Sequence, residues 1–197
     1  MADSPTLTQA FEAIDAVNAE DPNRSTLAGE ARPKELVHAE LACRWVERLQ
    51  PDAGDALRIA ARAHHIRRWA IPRSEYSSGR RGYNQWRRAL HDLHAREVGA
   101  ILARLGYAEA TVTRVQDLVR KRNLGRDPEV QTLEDALCLV FFETQLGELA
   151  ERFDAEKRRD VVRKILAKMS VEGIRQAESL PLDPVLRALI ADAGPPR

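Results

Sequence analysis

The chain has 197 residues, 44% of them hydrophobic and 31% charged, with a formal net charge of +1. These values fit one globular domain and exclude a disordered chain, and no apolar run is long enough to span a membrane. The first 15 residues lack the basic and apolar regions of a secretory signal, and the two cysteines give no disulfide framework, so we expect a cytoplasmic protein.

Apolar residues recur at intervals of three and four along almost the whole chain, and no stretch shows the sustained alternation of a strand. Thr8, Asp55 and the pair Asp183-Pro184 are expected to begin helices. Residues 133–153 are apolar on nearly every face and should form a central helix. Pro72 and Gly79 interrupt the pattern, so residues 72–84 are expected to be a long loop, whereas the helix that follows should end near Gly106. The sequence therefore predicts an all-α fold, with a single helical domain over residues 1–197.

Positive charge is concentrated in residues 58–88. This segment contains nine arginines, no lysine and one acid, Glu75, for a net charge of +8, while the other 22 bases and 29 acids leave the rest of the chain at −7. The segment also holds two of the three tryptophans and two of the three tyrosines. Because arginine binds phosphate through two N–H groups and stacks on rings, the segment indicates an anionic ligand.

Four titratable residues share helix faces with apolar residues and are expected to point inward: His38, His64, His94 and Asp135. Buried polar groups need partners, so they should contact one another or a metal ion. The alternative for any single histidine is a hydrogen-bonded core residue, and Asp135 could be an acid near a helix start. His65 lies about 100° around the helix from His64. We expect His64 to be the more buried of the two and His65 to face a cavity.

Four stretches in order resemble the HD-domain superfamily: ELVHAELACRWVERL, LRIAARAHHIRRW, HAREVGAILARLGYAEATVTRVQDLV and VQTLEDALCLVFFE. The resemblance implies an HD-like helical bundle over residues 34–145, followed by C-terminal helices over residues 155–192. Most members are metal-dependent phosphohydrolases acting on nucleotides. By the resemblance, His38, His64 and Asp135 would be metal ligands, and His94 would match an auxiliary histidine.

Two positions depart from the superfamily pattern. His65 stands where the second residue of the His-Asp doublet is an aspartate, and an imidazole in that place favours Zn²⁺, Fe²⁺ or Ni²⁺ over hard ions, with Mn²⁺ still open. Lys121, Arg122 and Asn123 stand where many members have a further histidine. The site could therefore bind a metal without hydrolysis, or bind none.

A closer resemblance covers most of the chain. The stretches ARAHHIRRWAIPRSEY, RRGYNQWR and QTLEDALCLVFFE are similar to a family of bacterial and fungal proteins catalogued as a domain of unknown function. This resemblance supports the fold and the boundaries, but it implies no substrate.

The first functional hypothesis is a metal-dependent phosphohydrolase acting on a nucleotide or another small phosphorylated substrate. Its metal would be held by His38, His64, His65 and Asp135, and it would polarise a phosphoryl oxygen. His65 and His94 would be the catalytic residues, with Glu97 as another possible proton carrier. The substrate would be bound by an arginine and aromatic set, which consists of Arg67, Arg68, Arg73, Arg80, Arg81, Tyr83, Trp86 and Arg87, with the 72–84 loop as a lid.

Three alternatives stay open. The same residues could bind a nucleotide or another small anion without turnover. They could bind single-stranded nucleic acid, although a pI of about 7.9 disfavours this. The arginines could also form a solvated face paired with acids. The sequence leaves the oligomeric state open and indicates no membrane partner.

Overall fold

The structure, a computed structural model, describes residues 5–27, 29–147, 153–182 and 184–192. The α-helices in these residues are, in chain order, α1 (Leu7–Asn18), α2 (Lys34–Leu49), α3 (Asp55–Ala63), α4 (Gly79–Leu105), α5 (Glu109–Val119), α6 (Pro128–Thr144), α7 (Ala155–Leu166), α8 (Val171–Glu178) and α9 (Pro184–Asp192). Two short 3-10 turns, Arg68–Ala70 and Arg73–Glu75, lie between α3 and α4. The predicted all-α fold is confirmed.

Helix ends follow from local chemistry. The cap of α1 is Thr6 rather than the expected Thr8, because Thr6 and Gln9 satisfy each other's backbone N–H groups in a capping box. Asp127 caps α6 through the backbone N–H groups of Glu129 and Val130. Gly106, with φ of +86°, ends α4 as expected, in a left-handed conformation that glycine adopts without strain. The proposed cap Asp183 lies outside the described residues.

The strands among the described residues form one β-hairpin, which the sequence does not predict. Strands β1 (Arg24–Leu27) and β2 (Glu30–Pro33) pair antiparallel, with Arg24 opposite Pro33. Each strand has four residues, too few to show a clear alternation in the sequence. The hairpin leads directly into α2, since β2 ends at Pro33 and the helix begins at Lys34.

The helices pack around one hydrophobic core. Helix α2 lies against α3 and α6, α3 lies against α1 and α5, and α4 lies against α1 and α5 and touches the 3-10 turn that follows α3. The largest fully buried side chains are Phe142, Ile14, Leu57, Ile59, Ile66, Leu90, Leu102, Leu118, Leu133, Leu139, Leu146 and Leu166. This packing brings the start of α2, the end of α3 and the middle of α4 together.

Three predicted boundaries were wrong. Helix α3 ends at Ala63, so His64 and His65 lie in a turn that is tightened by hydrogen bonds from Ile66 N to Ala63 O and from Arg68 N to His65 O. Helix α4 begins at Gly79, so much of the expected 72–84 loop is helical. The central helix, α6, starts before residue 133 and ends at Thr144, and residues 148–152 of the predicted span lie outside the described residues.

Candidate functional site

The centre of the site is the carboxylate of Glu35, in the first turn of α2. The residue is buried, and its backbone N–H donates to Asp21 Oδ2 at 3.0 Å. Glu35 Oε2 lies 3.0 Å from His65 Nδ1 and 3.5 Å from His38 Nδ1, and Oε1 lies 3.8 Å from Arg68 Nε. Burial raises the pKa of Glu35, but the hydrogen bond from His38 and the nearby positive charges outweigh it, so the pKa is lowered and the carboxylate is ionised.

Glu35, His38 and His65 form a group that could hold a metal ion. One ligand atom from each residue lies within 4.8 Å of the other two. Two ligands of one tetrahedral ion are about 3.3 Å apart when each is about 2.0–2.1 Å from the metal. The distances of 3.0 and 3.5 Å from the carboxylate oxygen to the two imidazoles are close to that separation. One carboxylate oxygen and two imidazole nitrogens suit Zn²⁺, Fe²⁺, Ni²⁺ or Mn²⁺.

Two more histidines lie beside this group with their tautomers fixed. His64 Nδ1 lies 2.8 Å from Ala61 O, and His94 Nδ1 lies 2.7 Å from Ile66 O. A carbonyl only accepts, so each Nδ1 carries the hydrogen. Burial lowers both pKa values, that of His94 to about 4, so both rings are neutral at pH 7 and leave Nε2 as a lone-pair donor.

The rings are close to one another. The ring centroid of His65 is 4.2 Å from that of His64, 5.8 Å from that of His94 and 6.5 Å from that of His38. The Nε2 atoms of His38 and His94 are buried and have no hydrogen-bond partner among the described residues. Buried polar atoms with no hydrogen-bond partner are uncommon in folded proteins, so these two atoms are candidates for contact with an ion, a water molecule or a ligand.

His64 is the more buried residue of the histidine doublet, as expected. His64 is 5% exposed, whereas the side chain of His65 is 31% exposed and faces Glu35. The turn after Ala63 causes this difference, because it releases His65 from the helix and directs it toward the first turn of α2.

Asp135, the fourth expected ligand, does not belong to the Glu35 group. Its carboxylate accepts hydrogen bonds from Ser170 N at 2.8 Å, from Ser170 Oγ at 2.5 Å and from Gln131 Nε2 at 3.0 Å. A Cβ on Gly173 would meet the Asp135 carboxyl carbon at 2.7 Å. The residue therefore links α6 to the start of α8, and its bonds there account for both of its oxygens.

Glu35 is the site residue that sequence reasoning missed. In the sequence it looks like an ordinary acid in the first turn of a helix, where the helix dipole stabilises negative charge. The available signal was its spacing of three from His38, since residues three apart lie on one helix face. That signal becomes specific only once the turn after α3 brings His65 to the same face.

Of the expected anion-binding arginines, Arg68 is at the centre. Its guanidinium lies 4.9 Å from the ring centroid of Trp86, besides its contact with Glu35. Arg67 has a left-handed backbone, with φ of 54°, and its guanidinium pairs with Glu20 and Glu97 rather than with Glu35. Of the catalytic candidates, Glu97 is thus in an ion pair with Arg67, His65 belongs to the Glu35, His38 and His65 group, and His94 lies beside it.

The other expected substrate residues are spread over the start of α4 and the segment before it. The Arg73 guanidinium donates to Tyr76 O and Ser77 O and so stabilises the turn in which Arg73 lies. Trp86 Nε1 donates to Ile71 O at 2.9 Å, and Tyr83, whose ring is 5.8 Å from that of Trp86, is 43% exposed. Arg80 and Arg81 are exposed on α4, whereas Arg87 is half-buried and lies 3.5 Å from His91 Nε2.

Among the described residues, no helix is both long and apolar enough to cross a membrane. A model of a protein family described as a domain of unknown function (DUF4202) matches residues 8–190. No curated protein and no solved structure matches the chain. These comparisons indicate no activity for the chain, so a functional proposal has to be based on the geometry of the site.

Proposed function

The chain belongs to this family of unknown function, and from its site geometry we propose that it is a metal-dependent phosphohydrolase acting on a small phosphorylated substrate. The observation that carries the proposal is the Glu35, His38 and His65 group, whose ligand atoms lie within 4.8 Å of one another beside the Arg68 guanidinium. A divalent transition metal there would polarise a phosphoryl oxygen and lower the pKa of a bound water.

The protein residues would supply orientation and charge. Glu35 and the two imidazoles would hold the ion, and Arg68, kept in place by the Trp86 ring and by Glu35, would hold the phosphate. His94 is neutral, and its unpartnered Nε2 is the candidate proton acceptor in the site. Tyr83, exposed next to Trp86, offers a surface on which a base or another ring could stack.

An HD-like arrangement is part of this proposal. His38 lies on α2, the His64-His65 doublet follows α3 and His94 lies on α4, which is the order that the resemblance implies. We propose that Glu35 supplies the carboxylate that Asp135 was expected to provide. The ligand set would then be two imidazoles and one carboxylate, with His64 adjacent.

The proposal is tested by turnover with defined metals. Protein stripped of metal would be reloaded separately with Zn²⁺, Fe²⁺, Ni²⁺ and Mn²⁺, and phosphate release would be measured from p-nitrophenyl phosphate and from nucleoside monophosphates. Turnover should appear with at least one metal, and it should fall to background in His38→Ala and Glu35→Gln. Arg88→Gln, which changes an exposed residue of α4, is the matched control and should retain turnover.

A second candidate is a non-catalytic site for a small anion. It is favoured by the direct contact between Glu35 and His65, since this hydrogen bond satisfies both groups without a metal. If millimolar phosphate or nucleotide raised the melting temperature and no metal gave turnover, the result would support this binding function and reject the hydrolase.

Nucleic-acid binding has a different candidate surface. Arg80, Arg81 and Arg88 are exposed on the first turns of α4, and none of them takes part in an ion pair among the described residues. Retardation of single strands at physiological salt, with no stabilisation by phosphate, would favour this surface over the Glu35 site.

A further inference from the structure

The start of α2 has no side-chain cap from the residue that precedes it. That residue is Pro33, and its side chain makes no capping hydrogen bond. The first backbone N–H groups of a helix have no partner inside the helix, so they need one from elsewhere. Glu35 and His38, two of the three residues of the metal group, lie in the first five residues of this helix. Whatever fixes the first turn of α2 therefore also fixes two of the three candidate ligands.

The partners come from residues 18–23, which we call the α1–β1 segment. Asn23 O accepts a hydrogen bond from Lys34 N at 2.9 Å. Asp21 Oδ2 accepts one from Glu35 N at 3.0 Å. The first two N–H groups of α2 are thus satisfied by a part of the chain that lies before the β-hairpin.

The Asp21 carboxylate is itself held in place. The residue is only 3% exposed, and its other oxygen, Oδ1, accepts from Asn23 N at 2.9 Å and from Asn23 Nδ2 at 2.8 Å. Both carboxylate oxygens therefore have partners. The negative charge lies at the start of α2, where the helix dipole stabilises it.

The α1–β1 segment also contacts the part of the chain that carries His65. Asn18 is buried, and its Nδ2 donates at 3.4 Å to Arg62 O, a carbonyl in the last turn of α3. Carbonyls in the last turn of a helix have no helical partner of their own. Glu20 Oε2 lies 3.5 Å from Arg67 Nη2, two residues after His65. The segment thus joins the first turn of α2 to the turn after α3, the two places that supply the metal group.

We propose that Asp21 is a positioning residue for the metal group. By accepting the hydrogen bond from Glu35 N, it fixes the first turn of α2 relative to the turn after α3, so that the three ligands can share one ion. Such a set of ligands has to be held within about 0.5 Å of its working geometry, so a small movement of the turn is enough to weaken binding. This inference rests on the proposed function for the presence of a metal.

The test is a calorimetric titration of Zn²⁺ into the full chain after removal of any bound metal. Asp21→Ala removes the acceptor for Glu35 N and should weaken zinc binding about tenfold or more, the usual loss when a residue that orients a metal ligand is removed. Circular dichroism shows that the variant is folded. A purely structural role would leave the zinc affinity of the folded variant at the wild-type value.

Asp154→Ala is the matched control. The Asp154 side chain caps α7 by accepting from Lys157 N at 2.8 Å, so this variant also loses a carboxylate that holds the start of a helix. Helix α7 packs against α9 and contains no residue of the metal group. Asp154→Ala should therefore bind zinc as the wild type does.

If Asp21→Ala does not fold, Asp21→Asn takes its place. The amide has the shape of the carboxylate but one acceptor oxygen instead of two, so the variant loses the bond to Glu35 N or those to Asn23 and should bind zinc more weakly than the wild type. Wild-type zinc affinity in the folded variant, or an equal loss in Asp154→Ala, would overturn the role of Asp21 and leave the metal centre in place. Weaker zinc binding in the Asp21 variant, in a protein without turnover, would keep the role and reject the hydrolase. A wild type that binds no zinc would overturn both.

Discussion

His65 Nδ1 lies 3.0 Å from Glu35 Oε2, although the two residues are 30 positions apart in the chain. This contact joins the turn after α3 to the first turn of α2. It also brings His65 into the reach of His38, which lies on the same face of α2 as Glu35. Because the separation is close to that of two ligands on one ion, we interpret the contact as the framework of a metal centre.

Removal of the metal should lower the melting temperature. A metal that binds only the native state stabilises it by mass action, and a chelator removes that contribution. We expect a chelator to lower the melting temperature of the wild type and to leave that of His38→Ala unchanged, as measured by differential scanning calorimetry. Equal shifts in both proteins would place the metal elsewhere.

Ser170→Ala should destabilise the protein without loss of metal. The Ser170 hydroxyl donates to Asp135 Oδ2 and accepts from Gly173 N, so it joins α6 to the start of α8. Loss of such a cap costs about 1 kcal/mol, and the unpaired Asp135 oxygen adds to this. Urea unfolding gives the loss, and Ser179→Ala, which removes one exposed hydrogen bond, is the matched control. Metal loss in Ser170→Ala would instead connect Asp135 to the metal group.

Arg68→Gln should weaken phosphate binding, whereas Arg67→Gln should not. Arg68 lies between Trp86 and Glu35, and loss of a charged hydrogen bond there costs about 1.5–3 kcal/mol of binding free energy. Arg67 instead pairs with Glu20 and Glu97 and has no ion pair with Glu35 among the described residues, so its loss should leave phosphate binding unchanged. Titration with inorganic phosphate compares the two, and equal losses would contradict the assignment of Arg68.

Acid should destabilise the metal-free protein through His94. Burial lowers the folded-state pKa of His94 to about 4, below its ordinary value of 6.5. Between these values the unfolded chain binds more protons, so this stability is fully present above pH 6.5 and is lost as the pH falls toward 4. The shift corresponds to about 3 kcal/mol at most.

Urea unfolding in chelator from pH 7.5 to 4.5 measures this effect. His94→Gln removes the titrating ring and should make the fall in unfolding free energy with pH shallower than in the wild type. A variant with the same pH dependence as the wild type would show that His94 does not contribute.

The sequence predicts the helices of this protein better than its site. The apolar periodicity predicts that α4 ends near Gly106, as it does. The positions of His38, His64 and His94 on apolar helix faces predict that these residues are buried, and they are. Residues 64–67 contain neither glycine nor proline, so nothing in the sequence marks the end of α3. The turn is stabilised by tertiary contacts, which include the hydrogen bond from His94 to Ile66 O.

Partners distant in sequence explain the remaining differences. Asp135 accepts a hydrogen bond from Ser170, which is 35 residues further along the chain, and Glu35 contacts His65, which is 30 residues away. Spacing along one helix identifies which residues share a face, but it does not say which other element packs there. The candidate ligands could therefore be named from the sequence in part, while the choice of Glu35 over Asp135 required the fold.

The most direct measurement of the central claim is the metal content of protein purified without chelator or a nickel column, by inductively coupled plasma mass spectrometry. Wild type and Asp135→Asn should each contain about one divalent transition metal per chain, and Glu35→Gln and His38→Ala should contain almost none. Metal retained in Glu35→Gln but lost in Asp135→Asn would contradict the account.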